Sequence, residues 1–298
     1  MDLHVVEIPI AYLYGRRTLP RVNVAPEWEL FREAGVYEPI DGELTFAQAK
    51  IDLDETVEDD PVADVSLLGG RIAEAVAEGV RAGKKVMMVG GNCTCVPGMV
   101  GGLKQGLGQM TKIGLVWIDA HGDFNTPSTQ ADGLLGAMPV STVAGFCLPA
   151  WRKGAGIEVP LTTDQIVMVD VRHLGDKETT IVEASDITVV GIDSPELGPA
   201  VDRLAAETDL LYVHIDLDIL DRELIPAHMA QEPGGPTVED TVAALDRIFA
   251  TGRVDAFALV SLYAFLPEGD KSVDAALGIL KPAVERWASV TDAAVAAA

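Results

Sequence analysis

Short apolar runs alternate with longer amphipathic ones along the chain. Seven runs read as strands: LHVVEIPI (3–10), KVMMVG (85–90), IGLVWID (113–119), QIVMVDV (165–171), ITVVG (187–191), LYVHIDLD (211–218) and AFALVSL (256–262). Several are apolar nearly throughout, as expected for strands covered on both faces in a parallel sheet. Helical candidates lie between them. In ADVSLLGGRIAEAVAEGVRAG (63–83), Leu67, Ile72, Val76 and Val80 recur every four or five residues. A second helix is expected to begin at Thr237, where TVED has the form of a capping box with Asp240 in the glutamate's place, and to stop at Gly252. A third runs from about Ser272 to Trp287, and the closing AVAAA is expected to fray. The region 41–62, with its acidic DLDETVEDDP, reads as loop, too short to separate domains. Alternation of strand and helix implies right-handed βαβ units and a mostly parallel sheet, an α/β architecture. No repeat, low-complexity block or linker interrupts residues 1–298, so a single domain is expected.

Composition narrows the function classes. Apolar residues make up 48% of the 298, enough for a substantial core. Lys and Arg number 22 against 46 Asp and Glu, a net charge of −24. Such a surface repels phosphates, which argues against nucleic acid or an anionic membrane as a partner. Cys93, Cys95 and Cys147 are too few, and odd in number, for a disulfide framework. MDLHVVEIPI lacks the basic start and long apolar core of a signal peptide. No apolar run approaches the roughly 20 residues needed to cross a bilayer. A reducing cytoplasm is the expected location, with a small molecule as the ligand.

In open parallel sheets, ligands bind beyond the carboxyl ends of the strands. Three strand candidates end in polar clusters: GGNCTC (90–95), DAHGD (119–123) and HIDLD (214–218). Side chains two apart on an extended segment share a face, so Asp119, His121 and Asp123 can converge, as can Asp216 and Asp218. Alone, a DxH or DxD at a strand end is commonly a helix cap or a loop acid. Two such clusters after parallel strands point instead to a metal site, because divalent cations relieve the repulsion among gathered carboxylates. Oxygen-rich ligation with one imidazole favours manganese over structural zinc, and two ions sharing carboxylates would activate a bridging water. No GxGxxG or GxSxG is present to suggest a dinucleotide or serine-hydrolase site.

These residues resemble the arginase/agmatinase (ureohydrolase) family, whose pattern is GGDHS, then DAHxD, then SxDxDxxDP. DAHGD matches in full, and HIDLDILD (214–221) matches through Asp216, Asp218 and Asp221, with His214 for the serine and Arg222 for the proline. The resemblance covers about residues 84–267. It implies a three-layer αβα fold with an eight-stranded parallel sheet and two Mn2+ ions. Asp119 and Asp216 would bridge the ions, Asp123 would bind the first, and His121 and Asp218 the second. A metal-bridging hydroxide attacks the guanidinium carbon in this family, and the carboxylate matched by Asp123 passes a proton to the leaving amine. Where the family has the histidine of GGDHS, this chain has Cys93, after Asn92 for the aspartate; a thiolate can also ligate. The N-omega-hydroxy-L-arginine amidinohydrolase subgroup is more similar still. It shares that cysteine, the wording W-I-D-x-H-G-D-F-N-T-P, and the glycine at Gly136 where arginases carry a proton-shuttling histidine.

Other departures concern the substrate. The glutamate that holds the guanidinium falls at Tyr263 or Ala264, both uncharged, with Glu268 just beyond as a substitute. The aspartate for the α-amino group falls near Gly175, beside Asp176. The carboxylate-binding loop keeps Asn125 but has Gln130 and Asp132, whose added charge would repel an α-carboxylate. A hydroxyguanidine-like substrate, cleaved to a substituted urea, is expected over arginine. Two alternatives stand beside it: a same-fold hydrolase of an amidine, and a family member that has lost catalysis and binds a partner. Of the remaining histidines, His214 reads as a satisfied strand residue, and His173 and His228 as loop residues that could line the pocket, with a solvated role favoured. Cys95 reads as packed in the following helix. Oligomeric state is left open, a homo-oligomer included.

Overall fold

A computed structural model describes residues 1–9, 27–51, 55, 60–130 and 132–297. Eight strands form one sheet: β1 (Leu3–Ile8), β2 (Leu44–Gln48), β3 (Lys85–Gly90), β4 (Ile113–Ile118), β5 (Ile166–Val169), β6 (Thr188–Val190), β7 (Leu210–Asp216) and β8 (Val254–Val260). Their order is β2-β1-β3-β8-β7-β4-β5-β6, and every pairing is parallel. Helices on its faces are α1 (Glu27–Glu33), α2 (Pro61–Arg81), α3 (Val96–Leu107), α4 (Pro139–Val143), α5 (Pro149–Gly154), α6 (Asp176–Glu183), α7 (Leu197–Glu207), α8 (Val238–Phe249) and α9 (Gly269–Ala297). Among the described residues no helix is long and apolar enough to cross a membrane.

Alternate residues of each central strand feed separate cores, as a two-residue period requires. Val116 and Ile118 of β4, with Val213 and Ile215 of β7, meet α7, α8 and α9 through residues such as Leu204, Ile248 and Ile279. Leu115, Trp117 and Tyr212 point the other way and meet α2, α3 and α4 through Ile72, Met99 and Val140. The result is the expected helix–sheet–helix sandwich. The closest helix contact is between α2 and α3, where glycines permit it. A Cβ on Gly98 would stand 2.5 Å from Ile72 Cβ, and one on Gly102 would stand 2.4 Å from Val76 Cβ.

The seven expected strands all form, with ends trimmed by a few residues; Ile10, the last residue of the first run, lies outside the described residues. Two expectations need correction. Residues 44–48, read as loop, are the edge strand β2; its side chains are only half-buried, so it lacks the apolar density that marks its neighbours. Most of the acidic stretch after it (52–54, 56–59) lies outside the described residues. The last helix starts at Gly269 and continues through Ala297, so the alanine-rich end is helical rather than frayed. The capping box at Thr237 and Asp240 forms as read.

One buried acid pair bears on stability. Glu27 starts α1, and its backbone N–H donates to Glu7 Oε1 at 2.6 Å. Burial, together with the charge of Glu7, pushes the Glu27 carboxyl well above the ordinary range. A carboxyl raised in the folded state stabilises fully below its unfolded pKa, and that contribution is lost as pH rises through the folded value. Glu27→Gln is therefore expected to raise the melting temperature at pH 8 by about 2–4 °C, as about 1 kcal/mol does in a chain of this size, with the gap closing toward pH 4. Calorimetry across that range checks it; a lower melting temperature for the variant at pH 8 would show that Glu27 is ionised and compensated.

Candidate metal centre

The chemistry gathers where β3, β8, β7 and β4 end side by side. Ile118 of β4 pairs with Ile215 of β7, so the next residues, Asp119 and Asp216, emerge from adjacent strand tips although 97 positions separate them. Asp216 in turn pairs with Val260, which places Ser261 next to it. Cys93 enters from a 3-10 turn, Cys93–Cys95, after β3. Its Sγ lies 2.9 Å from Asp216 Oδ2 and 3.4 Å from Asp119 Oδ2. Asp119, Asp123, Asp216, Asp218 and Cys93 are all more than nine-tenths buried.

Backbone and side-chain donors hold the carboxylates. Asp119 Oδ1 accepts from His121 N at 2.7 Å, Asp216 Oδ1 from Asp218 N at 2.9 Å, and Asp216 Oδ2 from Ser261 Oγ at 2.5 Å. Arg172 ties the far side, donating to the Asp218 carbonyl at 3.1 Å and to Asp170 Oδ2 at 3.1 Å. At the strand tips Asp123, at φ 46°, and Ser261, at φ 66°, adopt left-handed backbone. Such geometry is costly for non-glycine residues and concentrates at functional sites. Glu178, on α6, secures the first, its Oε1 accepting from Phe124 N at 2.8 Å.

His121 presents Nδ1 to the acids, 3.0 Å from Asp218 Oδ2 and 3.4 Å from Asp119 Oδ1. Its Nε2 lies 3.2 Å from Glu232 Oε1, whose other oxygen reaches His173 Nε2 at 3.1 Å. The loop between β7 and α8 also supplies His228, with Nε2 3.2 Å from Asp216 Oδ1. That loop is folded by Asp221, which accepts from Glu223 N at 2.9 Å and Gly234 N at 2.7 Å. Donor atoms therefore cluster in three groups: Cys93, Asp119, Asp123; Asp119, His121, Asp218; and Asp216, Asp218, His228. Atoms within each lie within 4.8 Å of one another.

Electrostatics show what this cluster lacks. Burial, reinforced by the charge of Asp218, pushes Asp119 well above the usual carboxylate range, and Asp123 rises through burial despite the nearby His121. Burial and the surrounding acids also push the Cys93 thiol up. Asp216 goes the other way: burial is outweighed by the pull of the His228 ring, whose Nε2 lies beside it. Burial opposes the charging of His121, yet the bonds to Asp119 and Asp218 drive its pKa up to about 12. Gathered this closely and this deeply, the anions repel one another. The shared, oxygen-rich donor groups fit a pair of divalent cations, which would neutralise the same charges.

A cavity of about 590 Å³ opens onto this cluster. Of the residues assigned to substrate from sequence, Asn125, Gln130 and Tyr263 line it, and Asp176, Glu178 and Gly136 join them. Asp132 does not: it is exposed, and its Oδ1 accepts from Leu134 N at 3.1 Å within its own loop. The repulsion expected from it toward an α-carboxylate is thus absent from the cavity wall. Glu268 is likewise exposed and outside the wall, and neither Tyr263 nor Ala264, where the resemblance put the guanidinium-holding glutamate, carries a charge. His228 is buried rather than solvated. His214 stacks on Trp117 at 4.4 Å and bonds to the Tyr212 hydroxyl at 2.8 Å, facing the core. Cys95 is fully buried before α3. Sequence reasoning passed over Ser261 and Glu232. Ser261 was findable as the residue following a strand in the row of polar tips; Glu232 sits in a loop with no periodic signal.

The Arginase family model matches residues 25–284, and the chain belongs to the arginase family, whose members are metal-dependent ureohydrolases. A Bacillus caldovelox arginase is 24% identical over 217 residues, 70% of this chain and 72% of its own length. The chain spans about half the length of the Brucella arginases it matches. The solved structure of B. caldovelox arginase superposes with a TM-score of 0.80 at 21% identity, covering 95% of this chain and 98% of that one. Formimidoylglutamase from B. subtilis superposes with a TM-score of 0.69 at 14% identity, over 97% and 88% of the two chains.

Gly122 sets how closely β4's extension approaches α6. An added Cβ would stand 2.5 Å from Leu174 Cδ2 and 2.9 Å from Glu178 Oε1. Gly122→Ala is expected to cost about 1–3 kcal/mol, as overpacking does, and to disturb Asp123 through Glu178. Chemical denaturation measures the first effect; wild-type stability in the variant would mean that the site is looser than its contacts indicate.

Proposed function

We propose that the protein hydrolyses a non-peptide C–N bond in a guanidine-like small molecule, with a hydroxyguanidine favoured and a substituted urea released. The observation that supports this reading best is the convergence of donors from three separate strand tips beneath one cavity. Cys93, Asp119, His121, Asp123, Asp216 and Asp218 would hold two divalent cations, manganese by preference. When bound, such a pair supplies Lewis acidity and an activated water at neutral pH. The chain's own residues do the rest. Asp123 lines the cavity and would carry a proton to the departing amine, as the family resemblance implies. Asn125 and Gln130 line the cavity and would orient the substrate's polar end. Burial at the cavity floor keeps bulk water from competing.

Tyr263 argues for the finer substrate. It is buried beside the cavity, and by the family resemblance it or Ala264 takes the place of the carboxylate that faces a guanidinium. A guanidinium is a permanent cation and is poorly served by a phenol. Hydroxylation makes the group a much weaker base, so a hydroxyguanidine can enter uncharged and needs no carboxylate. The same argument supports a second reading, an amidine substrate, and formimidoylglutamase shares the fold.

Protein purified with Mn2+ is expected to retain about two ions per chain by elemental analysis and to release hydroxyurea from a hydroxyguanidine at least ~10-fold faster than urea from arginine. Full loading with turnover of a formamidine alone would favour the second reading, and failure to retain metal would sink both. An added Cβ at Gly136 meets nothing within 4 Å, so Gly136→His is expected to keep wild-type melting temperature and metal content. Loss of metal in that variant would show that the cavity cannot accept an imidazole there.

A further inference from the structure

We propose that His228 is itself a metal ligand, giving the Asp216–Asp218 side of the centre an imidazole that the six residues named above do not include. The inference rests on the dinuclear reading and extends it. Nε2 of His228, Oδ1 of Asp216 and the carboxylate of Asp218 belong to one donor group within 4.8 Å. The imidazole is 8% exposed, and its Nε2 makes no aligned hydrogen bond, although it lies 3.2 Å from Asp216 Oδ1. A buried ring nitrogen without a hydrogen-bond partner, aimed at two carboxylates, is what a ligand looks like before its ion arrives.

The other ring nitrogen agrees. His228 Nδ1 lies 2.7 Å from the Ala230 carbonyl oxygen, a contact two lone pairs cannot share. In the other tautomer the same nitrogen accepts from the Ala230 N–H at 3.0 Å. With the proton on Nδ1, the ring donates to the carbonyl and leaves the Nε2 lone pair for an ion. Histidines that bind metals characteristically donate their second N–H to a backbone carbonyl, which fixes tautomer and ring orientation together. The ring is also held in place. Tyr263 packs against it edge-on at 5.2 Å, and His228 N donates to Ile225 O at 3.0 Å. The Asp221-braced loop brings it over the tip of β7.

The arrangement answers the loss at β3. Cys93 stands where the family pattern has a histidine, so the strand tip offers sulfur in place of nitrogen. With His121 and His228 the centre again has two imidazoles, redistributed from a strand tip to a loop. His228 thereby becomes part of the cavity floor next to Tyr263.

Two measurements test this. In Mn2+-loaded wild-type protein, pulsed electron paramagnetic resonance should resolve nitrogen couplings from two imidazoles; couplings from only one overturn the proposal even if both ions are bound. In Co2+ titrations, His228→Ala should weaken one of the two binding steps by at least ~10-fold and alter the visible d–d bands, while the thiolate-to-cobalt band of Cys93 persists. Unchanged affinity and d–d bands in His228→Ala also overturn it. Circular dichroism of the metal-free variant separates ligand loss from misfolding. A wild-type protein that retains no ions sinks the dinuclear reading, whereas two ions with one imidazole sink only the role of His228.

Discussion

Four carboxylates, each at least nine-tenths buried, meet at the ends of β4 and β7, and their mutual repulsion is the constraint around which the molecule is organised. Isolated buried anions would protonate or pull in water. Here they are kept together by the parallel sheet, whose register leaves Asp119 and Asp216 no way to separate without breaking the pairing of β4 with β7. Donors from the backbone, from Ser261 and from Cys93 take up part of the charge. The histidines His121 and His228 take up more. What remains is an excess of negative charge shaped for divalent ions.

The order of the strands makes this possible. Insertion of β8 and β7 between β3 and β4 brings four strand tips into one row, from segments spread over most of the chain. Part of the molecule's local irregularity falls in that row. Asp123 and Ser261 bend into left-handed backbone there, while the strands behind them stay buried. A rigid sheet with strained tips is how an α/β fold separates stability from chemistry: packing supports the geometry, and the loops set what it acts on.

How much of this could be read in advance follows from where each residue lies. Buried strands announce themselves because both faces are apolar, so β3, β4, β7 and β8 were legible, and with them the tips that carry Asp119, His121, Asp123, Asp216 and Asp218. The edge strand β2 was not legible, because one side of the sheet there is only half covered and acids surround it. Long-range pairing is beyond periodicity. Nothing in the spacing of Glu232 tells that it bridges His121 and His173. Loop direction is equally invisible: Asp132 lies two positions from Gln130 yet turns to cap its own turn, while His228 folds inward. The family pattern supplied what periodicity could not, but only where the chain keeps to it.

Cys93 has a consequence for the cell's metal supply. On the proposed ligand set, one donor is sulfur, and sulfur prefers zinc, cadmium and copper(I) to manganese. Selection then depends on which ions the surroundings make available, more than it would at a centre of oxygen and nitrogen alone. The same atom, only 8% exposed beneath the cavity floor, lies within reach of thiophilic poisons that a histidine in its place would ignore.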